Sequence, residues 1–228
     1  MLQAGIELKN KHRRKGCVNN IYEETKENYG CELCDFVNEN WNKRETHIRT
    51  TIGQKIFLVK ECTENNQITC EIQVSKKSNG ILLTFEVSID DLCLSDPDKL
   101  DGQSSDGIHL LLCGTADNIF SYKSIFFFPK KANDEYSVVV CDVLSYPYKI
   151  IEDYFVQADF ELREKTYVIR ALLSNEYVMQ NNLNSYFYMG LVVSDCSIET
   201  RRRKNQLILS EVESQWYNPI YFAKVELD

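Results

Sequence analysis

The stretch Ile68-Thr69-Cys70-Glu71-Ile72-Gln73-Val74, followed after Lys76-Lys77-Ser78-Asn79-Gly80 by Ile81-Leu82-Leu83-Thr84-Phe85-Glu86-Val87-Ser88-Ile89, carries the plainest structural signal in the chain. Apolar residues fall on every second position: Ile68, Cys70, Ile72 and Val74, then Ile81, Leu83, Phe85, Val87 and Ile89. Thr69, Glu71 and Gln73, and later Thr84, Glu86 and Ser88, hold the positions between. Successive side chains of a strand point to opposite faces, so this alternation predicts two strands, each with one buried and one wet face. The link carries Asn79-Gly80, two residues that tolerate positive φ, and predicts a hairpin.

Working outward, similar short runs recur at 108–113, 121–128, 136–143, 158–162, 166–172, 186–193, 206–209 and 221–227. Glu164 and Lys165 form a short break between two of them, which predicts a hairpin or a bend. No segment of about 12 residues shows a 3.6-residue apolar stripe. About ten short strands with no intervening helices predict an all-β protein, an antiparallel sandwich of two packed sheets. Residues 1–50 are polar and aperiodic and read as an N-terminal extension of the same unit, with the sandwich over 51–228.

Composition narrows the function classes. Of 228 residues, 43% are hydrophobic and 11% aromatic, ample material for a core. The net charge of −8 argues against nucleic acid as a partner, because phosphate binding needs a positive surface that releases counterions. Lys9 to Lys15, with Arg13 and Arg14, is the basic exception and reads as a solvated tail. No run of about 18 apolar residues exists to span a bilayer, and the N-terminus lacks the apolar stretch of a secretory signal. Nine cysteines, an odd number dispersed through strand-like segments, suit buried reduced thiols and predict a cytoplasmic protein, or an extracellular one if an export signal was removed. Cys31 and Cys34 have zinc-ligand spacing without a second pair, and a structural zinc needs four ligands. Nothing in the sequence sets an oligomeric state.

The last forty-odd residues add a finer pattern. Tyr186 to Asp195 is a strand-like run containing Gly190 and ending in Asp, Arg201-Arg202-Arg203 follows, then Gln206-Leu207-Ile208-Leu209-Ser210, and Trp216-Tyr217-Asn218-Pro219 precedes a closing alternation at Tyr221, Ala223, Val225 and Leu227. Upstream, Asp90-Asp91 leads through a loop to Ser105-Asp106-Gly107-Ile108-His109. This order resembles the family 9 carbohydrate-binding modules and the DOMON-like, jelly-roll-like sandwiches related to them. Asp106 matches the family's Asp, His109 stands where Glu or Gln is more common, Gly190 to Asp195 matches the glycine-led strand ending in Asp, and Leu209 occupies a position usually held by Trp.

The resemblance implies a non-catalytic domain that binds a mono- or oligosaccharide by reversible ring stacking and hydrogen bonding. It points to Asp106, His109, Asp195, Arg202, Trp216 and Tyr217 as contacts. Tyr146, Tyr148 and Tyr154 are further candidate platforms, since an amphipathic ring both stacks and hydrogen-bonds. Bland readings stand beside these: Asp106 and Asp195 also suit turn caps or a structural calcium, Arg201 to Arg203 a solvated loop, and Trp216 a core plug. An intracellular interaction or structural sandwich that lost its sugar site is the alternative function.

Other chemistry is weakly signalled. Asp96, Asp98 and Asp101, with Gly102, form a loop of the kind that wraps calcium, but the position twelve residues into it is Gly107 instead of Glu. No other cofactor is expected. His12, His47 and His109 lie far apart and in no nucleophile or metal motif, which argues against an enzyme. Met179, Met189 and His109 would be the axial ligands if a haem were bound, and nothing in their spacing selects them.

Overall fold

The computed structural model describes residues 49–63, 66–88, 90–95, 100, 104–114, 122–143, 148–210 and 221–227. Residues 1–48 of the N-terminal extension, Trp216, Tyr217, Tyr146, the Cys31–Cys34 pair and the Asp96, Asp98 and Asp101 loop lie outside the described residues.

The chain runs β1 (Arg49–Thr51), β2 (Lys55–Thr63), β3 (Asn66–Lys77), β4 (Gly80–Ser88), β5 (Gly107–Cys113), β6 (Lys123–Ala132), β7 (Glu135–Asp142), β8 (Lys149–Ile150), β9 (Val156–Leu162), β10 (Thr166–Ser174), α1 (Asn175–Gln180), β11 (Tyr186–Cys196), β12 (Arg203–Leu209) and β13 (Ala223–Glu226). The larger sheet has the order β1-β13-β11-β5-β6-β7-β8, with β12 also paired to β11, and the smaller sheet has the order β2-β3-β4-β10-β9. All pairings are antiparallel except β1 with β13. An all-β sandwich is therefore what the strand alternation produces.

The core forms where the two apolar faces meet. Ile68, Cys70, Ile72 and Val74 of β3 and Ile81, Leu83, Phe85 and Val87 of β4 are all buried, as are Ile108, Leu110 and Leu112 of β5 and Phe187, Met189, Leu191 and Val193 of β11. Phe85 and Phe127 meet across the layers with ring centroids 6.0 Å apart. Each such large side chain contributes about 1.5–3 kcal/mol by leaving water.

Among the described residues there are thirteen strands where the alternation predicts about ten. β2 escapes the pattern because Lys55, Phe57 and Val59 face outward and Ile56 and Leu58 inward, so apolar residues occupy both faces of this edge strand. β1 and β8, three and two residues long, exist only through pairing with β13 and β7. The expectation of no helices is corrected by α1. Its six residues are too few for an apolar stripe, and Ser174 starts it by accepting the Tyr177 N–H at 3.2 Å.

The β3–β4 hairpin is present, with a shifted turn. Lys77 pairs with Gly80, so Ser78 and Asn79 form the turn, and the positive φ of +153° falls on Gly80. A Cβ at Gly80 would stand 1.9 Å from the Leu173 carbonyl oxygen, so β10 packs too close here for any other residue. The β9–β10 hairpin forms at Glu164-Lys165, as the break predicts.

Candidate functional site

The sequence pattern ends at two polar clusters, one closed and one open. The closed one is built on Asp106, which immediately precedes β5. Its Oδ2 accepts the Cys93 N–H at 2.8 Å and its Oδ1 accepts the Cys196 N–H at 2.6 Å, while its own N–H donates to the Cys93 carbonyl at 2.8 Å. The side chain is fully buried, and burial pushes its carboxyl up to about 7 against the two N–H bonds that favour the charged form. Asp106 thus clamps the 92–95 loop and the end of β11 to the start of β5. Its expected role as a sugar contact is corrected: both oxygens are taken by backbone, and no surface is exposed to a ligand.

His109 is half-buried. It projects from β5 on the side away from the core, its Nε2 lies 2.6 Å from the Ser124 Oγ, and its ring stacks on Phe126 at 5.6 Å. Burial first, and the Arg203 charge second, hold the imidazole down at about 4, so it is neutral near pH 7. Met189 stands on the core face of β11, His109 on the other face of the neighbouring strand, and Met179 is exposed on α1, so the three do not converge on a haem.

Asp195 is half-buried at a β-bulge, accepting from the Asn205 Nδ2 at 2.7 Å, with the Lys204 Nζ 4.0 Å away. Arg202 is exposed, and its carbonyl accepts the Ser197 N–H. The arginine that grips is Arg201, whose Nη1 donates to the Leu94 carbonyl at 2.8 Å and lies 3.4 Å from the Cys93 sulfur. Asp106, Asp195 and the arginine turn are therefore brought together, chiefly as a joint between loops. Cys93 and Cys196 belong to the same joint. Together with Cys70, Cys113 and Cys141 they are buried free thiols, as the dispersed cysteines predict. Among the described residues no His, Cys, Asp and Glu cluster is arranged to hold a metal.

The open cluster lies at the opposite ends of the same strands, since Lys123 pairs with Leu112 at the far end of β5. A pocket of about 310 Å³ opens where β6, β7 and β8 part from the 151–155 segment and α1. Lys123, Asp142, Lys149 and Glu152 line it with Gln180 of α1 and its C-cap Asn181, and Phe155 and Tyr177 supply its rings. Phe155 and Tyr177 meet edge-on at 6.4 Å, and Tyr154, 55% exposed, lies against Phe155 with centroids 4.1 Å apart. Lost hydration and the hydrogen-bonded Glu152 carboxylate raise the Tyr154 phenol above its ordinary value. Burial, and then the nearby Asp142 charge, raise Tyr177, so both phenols stay protonated.

Most of the chain superposes on solved structures. A family 9 carbohydrate-binding module from Caldicellulosiruptor kristjanssonii, solved with glucose, is 11% identical, with a TM-score of 0.53 over 79% of this chain and 95% of that one. This chain has the fold of a family 9 carbohydrate-binding module. A second such structure from that organism, with cellotriose, gives a TM-score of 0.50 at 11% identity over 79% of this chain and 93% of that one. A proposed carbohydrate-binding protein from Bacteroides uniformis gives 0.53 at 8% identity over 85% and 90%. No protein-family model matches the sequence, and no curated protein does.

Within this family 9-type sandwich, the pocket is what the sequence reading missed. Its residues come from separate segments between 123 and 181, with no shared motif. Tyr154, one of the expected platforms, stands beside it, whereas Tyr148 is half-buried against Phe128 at 6.1 Å. The usable signal was local: Ser174-Asn175-Glu176 opens a helix whose Tyr177, Gln180 and Asn181 share one side at i, i+3 and i+4 spacing.

Proposed function

We propose that the protein binds a saccharide non-catalytically in the pocket between β8 and α1. The observation that carries this reading is the pairing, in one concavity, of the Phe155 and Tyr177 rings with carboxylates, amides and ammonium groups. A pyranose has an apolar C–H face and an equator of hydroxyls, so it needs a ring surface and converging hydrogen-bond partners together. The volume is at the small end of ligand pockets, which run ~300–1,000 Å³, and suits one or two sugar units at a chain end. Tyr154 extends the ring surface outward to a second unit. Support also comes from the fold, which the two family 9 module structures solved with sugars share.

Reversible binding without chemistry is the reading because, among the described residues, the imidazole of His109 beside Ser124 lies outside the pocket and is a poor base. Titrating glucose and cellotriose into labelled protein tests the proposal. The side-chain amide signals of Gln180 and Asn181 should shift at millimolar sugar, and Tyr154→Ala should weaken the response. Unmoved amide signals at saturating concentrations of both sugars would sink it.

A further inference from the structure

Resting on that reading, we infer that the preferred ligand is an acidic saccharide, one whose terminal unit carries a carboxylate. The inference follows from which hydrogen-bonding groups of the pocket are already engaged. Gln180 donates its Nε2 to Glu176 at 3.0 Å, and Asn181 donates its Nδ2 to the Tyr177 carbonyl at 2.8 Å. Both amides therefore spend donors inside the protein and keep their carbonyl oxygens for a ligand's hydroxyls. Glu152 is held by the Tyr154 phenol, and Asp142 is half-buried beside Tyr177 and directly across the β7–β8 ladder from Lys149.

Lys123 and Lys149 are different. Both are exposed at the pocket and, among the described residues, neither has an ion pair or a hydrogen bond. In a chain of net charge −8, the unpaired cationic donors among the described residues of this pocket are thus two ammonium groups, each a point charge with three donors. A neutral sugar offers these ammonium groups only hydroxyls, whereas a hexuronate adds a carboxylate for them and turns its hydroxyls toward the amide carbonyls.

Calorimetry with glucose, glucuronate, glucuronamide and acetate tests this on the wild type, a Lys123→Gln/Lys149→Gln variant and Lys149→Arg. At low salt, glucuronate should bind roughly three- to tenfold tighter than glucose or the isosteric amide. That advantage should shrink as salt screens the charges. The ratio of glucuronate to glucuronamide affinity should fall to about one in the double variant and persist in Lys149→Arg. Equal affinity for glucuronate and glucuronamide overturns the inference and leaves the saccharide reading standing. Acetate binding as tightly as glucuronate overturns it as well, since the site would then recognise a bare anion. No binding of any sugar overturns both.

Discussion

Two carboxylates, Asp106 and Asp142, sit at opposite ends of the larger sheet, and their surroundings give them opposite uses. Around Asp106 the chain closes completely: two backbone N–H groups occupy its oxygens and no surface remains. Around Asp142 the strands part, leaving a pocket lined by rings, amides and lysines. The same functional group is architecture in one place and candidate recognition in the other. Accessibility decides between them, because a carboxylate whose partners are all internal has nothing left to offer a ligand.

The strongest way to break the comparison is Asp106→Ala. It would orphan two buried N–H groups, each worth about 1–3 kcal/mol when unsatisfied, so the denaturation midpoint should fall by roughly 2–5 kcal/mol of stability. Sugar affinity of the folded fraction should be unchanged; a stable variant that fails to bind would reverse the assignments of the two ends.

The pH dependence sharpens it next. Asp106 is raised from 3.8 to about 7 in the folded state, so it binds a proton there that the unfolded chain has lost, and its contribution falls as pH rises from about 4 to 7. His109 is lowered from 6.5 to about 4, so the unfolded chain binds the extra proton and its contribution rises over about pH 4 to 6.5. The two slopes nearly cancel in the wild type. His109→Gln should uncover the Asp106 slope, a loss on the order of 4 kcal/mol between pH 4 and 7 at about 1.4 kcal/mol per pH unit. Thermal melts across that range would show it, and a flat profile in the variant would refute the buried, proton-retaining Asp106.

Smaller is the effect of Tyr154→Ala. An exposed ring that stacks on a ligand is worth about 0.5–1.5 kcal/mol, so sugar affinity should drop about two- to tenfold with the melting temperature nearly unchanged. The smallest effect belongs to the outer face of the smaller sheet. There Arg163 bridges Glu161 and Glu86, and Arg170 bridges Asp159 and Glu161. Hydrogen bonds from both arginines hold Glu161 down at about 2. These pairs are in water, so Arg163→Ala should cost under about 1 kcal/mol and leave binding untouched. A large loss of affinity would place the site on this face instead.

Much of the fold was legible in the chain. Ile81 to Val87 alternates cleanly because one face is core and the other solvent, and the same holds for β3 and β13. β2 was not legible, since Phe57, 64% exposed, breaks the alternation on the wet side. The candidate site was hardly legible at all. The pattern around Asp106 and Asp195 marks a real convergence, but sequence order does not report burial, and the convergence is a joint. Gly190 shows the same limit: it reads as a motif residue, and its structural reason is the Phe222 ring, which would meet a Cβ there at 2.6 Å.

What the sequence by itself determined is the two-layer architecture, because period-two alternation is a local consequence of strand geometry and needs no knowledge of partners. The pocket was decided only by tertiary structure: β6, β7, β8, the 151–155 segment and α1 meet through long-range pairing, and whether a charged side chain there faces solvent or protein is a property of the packed molecule.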